Sequence, residues 1–229
     1  MNIIPNFLKR LIWKTVRKWS VPLGTLLYEV RNEIARATLP RFGNSPKNLQ
    51  IDLPRRIINP MNIFLGDDIL IGPGSLLYAI VEYPTPPMRH PEIHQDIQKF
   101  TPKITIGNRV TATANLQIAS MTEITIEDDV MFASNINITD GLHGYANTSI
   151  PYKCQKMYRI APIRIKQGCW IGQNIVILPG VTIGEFSIIG ANSVVTKSIP
   201  DRCIAAGSPA KVIKKWDDSN QIWVSNNDK

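Results

Sequence analysis

The sequence predicts an all-β solenoid, a stack of short-stranded coils, and three observations predict it. The first is a six-residue repeat that runs without a slip. From Ile165 the chain reads IKQGCW IGQNIV ILPGVT IGEFSI IGANSV VTKSIP. Ile165, Ile171, Ile177, Ile183, Ile189 and Val195 stand at position one, and glycine stands at position two in three of the six units. The second is that the same rhythm runs upstream, in LGDDIL IGPGSL LYAIVE from Leu65, IGNRVT ATANLQ IASMTE from Ile106 and IEDDVM FASNIN ITDGLH from Ile126. The third is what the period excludes. A helix turning every ~3.6 residues scatters position one around its axis, and a flat strand alternates at every second residue. A short strand, a tight turn and another short strand fit. The β-branched residue at position one points inward, and a glycine or small residue permits the turn. Three units per coil make a triangular prism, with coils stacked at the ~4.8 Å spacing of paired strands.

Residues 1–48 precede the repeat and read as a helical segment. Ile4, Leu8, Leu11, Ile12, Val16 and Trp19 lie toward one side, and Lys9, Arg10, Lys14, Arg17 and Lys18 fill much of the other. The segment holds nine Lys/Arg against two Asp/Glu, so +7 of the net charge of +8 belongs to it. A basic amphipathic helix with tryptophans suits an anionic membrane surface, contacted through residues 1–20. It also suits a cap on the open end of a solenoid. No nucleic-acid partner is expected, because no RNA- or DNA-binding motif accompanies the charge.

Residues 49–213 form the solenoid, interrupted by loops near 84–103 and 141–162, and residues 214–229 read as a short C-terminal tail. No stretch reaches the ~20 apolar residues of a membrane span, and no signal-peptide pattern opens the chain. Cys154, Cys169 and Cys203 are odd in number and form no CxxC pair, which suits a reducing compartment. The expected location is cytoplasmic, peripheral at the inner face of the membrane if the first helix binds there.

The hexapeptide units resemble those of the left-handed parallel β-helix acyltransferases. The block CWIGQNIVILPGVTIGEFSIIGANSVVTKSIPDRCIAAGSPAKVIKKW, from Cys169, is similar to the C-terminal block of the saccharide O-acetyltransferase group, and INITDGLHGY resembles the loop that carries that group's active-site histidine. The likeness covers about residues 49–215. The left hand comes from the resemblance alone, since right-handed crossovers are the physical default. The resemblance implies an acetyl-CoA-dependent O-acetyltransferase acting on a saccharide in surface polysaccharide or glycolipid assembly. It also implies a homotrimer with active sites between subunits. N-acylation of an amino sugar, acetylation of a xenobiotic and a non-catalytic scaffold are the alternatives.

Acyl transfer to a sugar hydroxyl needs a base, and a neutral imidazole serves near pH 7. His143 stands on the loop that breaks the repeat, and the resemblance makes it the general base. Many relatives carry a second histidine where this chain has Gly141. Asp140 either orients His143 or shapes the turn before Gly141. The resemblance places coenzyme A contacts on Gln173, Ala191, Thr196, Lys197 and Lys214. The small Ala191 lets the pantetheine arm approach, and the two lysines meet phosphates, with Lys211 and Lys215 competing for the role of Lys214. Trp170 stacks on acceptor or coenzyme A, or packs between subunits. His90 and His94 are four apart, but Pro91 intervenes and zinc takes three protein ligands or more. No metal is expected, and that loop is read as shaping the acceptor cleft. Direct transfer is favoured over a covalent acetyl-Cys154.

Overall fold

Both inward positions of the repeat are buried. From Ile165 to Val195 every position-one side chain is shielded from solvent, and so are Cys169, Ile175, Val181, Ser187, Ser193 and Ile199 at position five. The buried serines are satisfied. Ser187 Oγ donates to the Pro200 carbonyl at 2.8 Å and accepts from Cys203 N–H at 3.1 Å, while Ser193 Oγ accepts from Gly207 N–H at 3.0 Å.

The computed structural model describes residues 6–226, with side chains from residue 22 onward, and divides into two units at Leu39. The first unit is one helix, Asn6–Ala37, with Pro22 inside it. Leu23, Leu27, Val30 and Ile34 are exposed on it. No helix among the described residues is long and apolar enough to cross a membrane. The apolar and basic faces expected for residues 1–20, and their membrane contact, lie outside the described side chains.

The second unit is a parallel β-helix, and register makes its three walls. One inward column runs Leu65, Ile106, Ile126, Ile165, Ile183. A second runs Ile51, Ile71, Ala112, Phe132, Ile171, Ile189, Ala205. The third runs Ile57, Leu77, Ile118, Ile138, Ile177, Val195. Each column collects position-one residues from successive coils. Ile165 pairs with Ile183, so the plain coil is three hexapeptides long.

The corners need a left-handed backbone, which side chains other than glycine adopt at a cost and asparagine adopts most readily. Asn115, Asn135, Asn174 and Asn192 stack at one corner with φ of 54°, 62°, 57° and 59°. Their side-chain amides form a ladder: Asn115 Nδ2 donates to Asn135 Oδ1 at 2.8 Å, Asn135 to Asn174 at 2.9 Å and Asn174 to Asn192 at 2.9 Å.

Both ends of the prism are covered. At the first coil Gly43 N–H donates to the Ile63 carbonyl at 2.9 Å. The Asn44 amide donates to Leu65 O at 2.6 Å and accepts from Leu65 N–H at 2.9 Å, so a side chain replaces the peptide of a missing coil. The other end corrects the expected tail at 214–229. Strand Cys203–Gly207 pairs antiparallel with Ala210–Asp217, which pairs antiparallel with Ile222–Ser225. The boundary drawn at residue 213 falls inside a strand. The physical reason is the last coil's edge, whose unpaired N–H and C=O groups take a hairpin. A hairpin has no six-residue period to betray it.

Asn135→Ala loses two rungs of the ladder and puts a Cβ without a local polar partner in a left-handed corner. It should cost about 1–2 kcal/mol, and Asn135→Gly clearly less, by urea denaturation midpoints.

Candidate active site

Two excursions leave the prism and are stitched together. The first contains the hairpin Glu82–Tyr83 with Gln98–Lys99. The second leaves at Asp140 and returns at Ala161, whose N–H donates to the Asp140 carbonyl at 2.9 Å. Within it Leu142–His143 pairs antiparallel with Met157–Tyr158. Gly144 N–H donates to Lys156 O at 3.0 Å. A Cβ on Gly144 would stand 2.5 Å from that same oxygen, so the hairpin closes this tightly only with glycine. Between the loops, the Tyr83 hydroxyl donates to Lys153 O. Gln95 Nε2 donates to the same carbonyl at 3.3 Å, and Gln98 Nε2 donates to Met157 O at 3.4 Å. Lys156 pairs with Asp96 at 3.0 Å.

His143 is exposed at the wall of a cleft of about 370 Å³, which Tyr78, Tyr83, Asn137, Thr139 and Met157 also line. Its ring meets the Tyr83 ring edge to face, with centroids 5.2 Å apart and planes at 68°. Tyr83 is buried, and that burial pushes its phenol pKa up, so the hydroxyl stays a donor to Lys153. Sequence reasoning missed Tyr83. Its position just before Pro84 offered no sign that it would cross to the other loop.

Asp140 does not orient His143. Its carboxylate is fully buried and turned toward the preceding coil. Oδ2 accepts from Ser120 Oγ at 2.7 Å and Thr122 N–H at 2.9 Å, and Oδ1 accepts from Met121 N–H at 2.7 Å. Burial raises its pKa; the three donors act in the opposite direction and do not prevail. Asp140 therefore holds the corner from which the His143 loop departs.

The remaining candidates separate into groups. Cys154 is buried and faces another cleft, with His94, Asp96 and Lys156, and does not line the His143 cleft. Cys169 is a core thiol whose pKa burial pushes up to about 11, and Cys203 is buried as well. His90 Nδ1 accepts from Glu92 N–H and Ile93 N–H, both at 3.1 Å, so this ring shapes its own loop. His94 lies 3.4 Å from Asp96. Among the described residues no three His, Cys, Asp or Glu side chains gather as metal ligands do.

Gln173 and Ala191 stack at the asparagine corner, where Asn192 N–H donates to Gln173 O at 2.8 Å. Thr196 and Lys197 follow strand Val194–Val195 at the next corner. Lys214 is exposed on the closing hairpin, opposite Ile204. Trp170 stands outward on a flat wall, 48% exposed, between Met131 and Ile188. None of these residues lines the His143 cleft.

Asp140→Ala should cost about 3 kcal/mol in a urea titration, because it strands three donors at one buried corner. Asp140→Asn keeps one acceptor and drops the buried charge, and should cost less.

The family described as bacterial transferase hexapeptide (six repeats) matches residues 162–197. WbbJ of Escherichia coli, named as a lipopolysaccharide biosynthesis O-acetyl transferase, is 36% identical over 126 residues, which are 52% of this chain and 64% of WbbJ. The galactoside O-acetyltransferase of Escherichia coli is 41% identical over 118 residues, 52% of this chain and 57% of that enzyme. The chain thus spans less than two thirds of either relative. A Schizosaccharomyces pombe protein named as an acetyltransferase is 32% identical over 171 residues, 70% of this chain and 79% of its own length. Among solved structures, AntD, an N-acyltransferase from Bacillus cereus, superposes with a TM-score of 0.61 at 22% identity, covering 82% of this chain and 90% of AntD, a likeness of fold. With its repeat matched inside the three-walled prism and a relative matched along most of its length, this chain belongs to the hexapeptide-repeat acetyltransferase family.

Proposed function

We propose that the chain transfers an acetyl group from acetyl-CoA to a saccharide hydroxyl, with His143 as general base. The observation that carries this is the place of His143. It is an exposed imidazole on the wall of a cleft, held on a loop outside the coils of an acetyltransferase-family chain. A sugar hydroxyl attacks a thioester only as its proton leaves, and neutral imidazole takes that proton. As the acceptor oxygen bonds to the acetyl carbon, the C–S bond breaks and sulfur departs as a thiolate. With a thiol pKa of ~8.5 it is a stable leaving group, and the imidazolium can return the proton to it. The contact with Tyr83 restrains the ring through this cycle.

A saccharide acceptor is supported by the relatives' names, one for lipopolysaccharide biosynthesis and one for a galactoside. Surface polysaccharide or glycolipid is the finer form of the same proposal. The donor-side residues fit a long anionic substrate: Ala191 is small and exposed at a corner, and Lys197 and Lys214 are exposed cations. Gln173, Thr196 and Trp170 complete that set. Because none of them lines the His143 cleft of their own chain, the proposal includes a homotrimer in which a neighbouring subunit supplies them. The +7 charge of residues 1–48 supports a site at the inner face of an anionic membrane.

His143→Ala should stay folded and lose ~10²–10⁴-fold in kcat, read by thiol release from acetyl-CoA with a galactoside acceptor. Near-normal turnover by the folded variant sinks the assignment. Lys197→Ala with Lys214→Ala should raise KM for acetyl-CoA more than it lowers kcat. Unchanged coenzyme A affinity by calorimetry would remove both lysines from the donor site.

A further inference from the structure

Resting on the acetyl-transfer reading above, we propose a second saccharide subsite, walled by Tyr145 and Tyr158, on the loop that carries His143. It would hold a neighbouring pyranose ring of an oligosaccharide or polysaccharide acceptor while the cleft at His143 holds the ring to be acetylated. The substrate class is therefore a glycan of linked sugars.

The two rings and Gly144, Lys156 and Met157 line a cleft of about 400 Å³. That lies in the ~300–1,000 Å³ range of small-molecule pockets. Tyr145 is 66% exposed, more than any other Phe, Tyr or Trp among the described residues, and Tyr158 is 51% exposed. The rings pack edge to face, with centroids 5.5 Å apart and planes at 83°, so each fixes the other. Neither phenol hydroxyl bonds to another described residue. A pyranose has C–H faces and a rim of hydroxyls. An exposed aromatic face takes the first, and a phenol hydroxyl or an ammonium takes the second.

The cleft is built beforehand. Gly144 N–H is bonded to Lys156 O, and Gln155 clasps Asn147 from both sides, donating to its carbonyl at 2.6 Å and accepting from its N–H at 3.1 Å. Little ordering remains to oppose binding. The cleft is also adjacent to the chemistry. Met157 lines both clefts and stands opposite His143 in the hairpin, and Tyr145 lies two residues beyond His143.

The probes are methyl β-D-galactoside, lactose and galactotetraose, applied to the full chain, to Tyr145→Ala/Tyr158→Ala and to Tyr145→Phe/Tyr158→Phe. In kinetics, the ratio of kcat/KM for tetraose to that for methyl galactoside should fall roughly tenfold in the Ala pair, and the Phe pair should recover most of it. Saturation-transfer NMR on tetraose needs no turnover. Its signal should be present in wild type and in His143→Ala and be several-fold weaker in the Ala pair, in which only the cleft at His143 still takes a ring. If no saccharide is acetylated yet that pattern holds, the acetyl-transfer reading fails and the subsite stands. Equal saturation transfer in wild type and the Ala pair overturns the subsite, as does none in wild type. So does a folded Ala pair whose sedimentation changes, since the tyrosines would then be a contact between subunits.

Discussion

The structure depends on the register between coils. Each coil bonds the next along parallel ladders, and the columns from Leu65 to Ile183, Ile51 to Ala205 and Ile57 to Val195 keep an apolar side chain facing inward at every level. A slip by one residue would turn a whole coil inside out. The interior is therefore filled, and the flat walls point wherever the ladder directs them. A side chain that must stand off the wall needs the chain to leave a corner and come back without disturbing the ladder. Asp140 and Ala161 meet this condition: the loop closes on one backbone hydrogen bond, and the Asp140 carboxylate binds the corner of the coil before it. An acid at the root of the histidine loop is thus tied to the fold first and to the chemistry through it.

Outside the walls the loops have little surface to bury, and they share it. Tyr83 from one loop, Met157 from the other and Met121 from the prism form a small cluster, with Ile80, Phe100 and Ile160 against it. This apolar seam, together with the bonds to Lys153 and Met157 carbonyls, offsets the entropy of ordering both excursions. It also explains why His143 has a defined place although it is exposed. The ring leans on Tyr83, and Tyr83 is clamped at its hydroxyl and buried along its length.

The three columns were legible in the sequence because a period of six writes the same environment at the same place in each unit. His143 was legible as the imidazole at the break. Asp140 stayed open between orienting His143 and shaping the turn, since its partners Ser120, Met121 and Thr122 lie a full coil earlier, and proximity across coils leaves no trace in local spacing. Tyr83 was invisible for the same reason, its partner Lys153 being on the other loop. The closing strands Ala210–Asp217 and Ile222–Ser225 were lost because short antiparallel pairing carries no long period. What the ladder repeats can be read; what one loop does to another cannot.

This division also separates the two halves of the proposed reaction. The residues assigned to the donor, Gln173, Ala191, Thr196, Lys197 and Lys214, sit on corners and strands that the ladder locks. His143, Tyr83, Tyr145 and Tyr158 sit on excursions attached at corners. A change of length or side chain in an excursion alters what the acceptor meets and leaves every inward column in place, since long surface loops cost little more than short ones. Changing a donor residue at a corner touches a ladder shared by the coils above and below, as the chain of amides from Asn115 to Asn192 illustrates. Under the proposed reading, the rigid part of the molecule holds the invariant cosubstrate, and acceptor choice is left to the part that can vary.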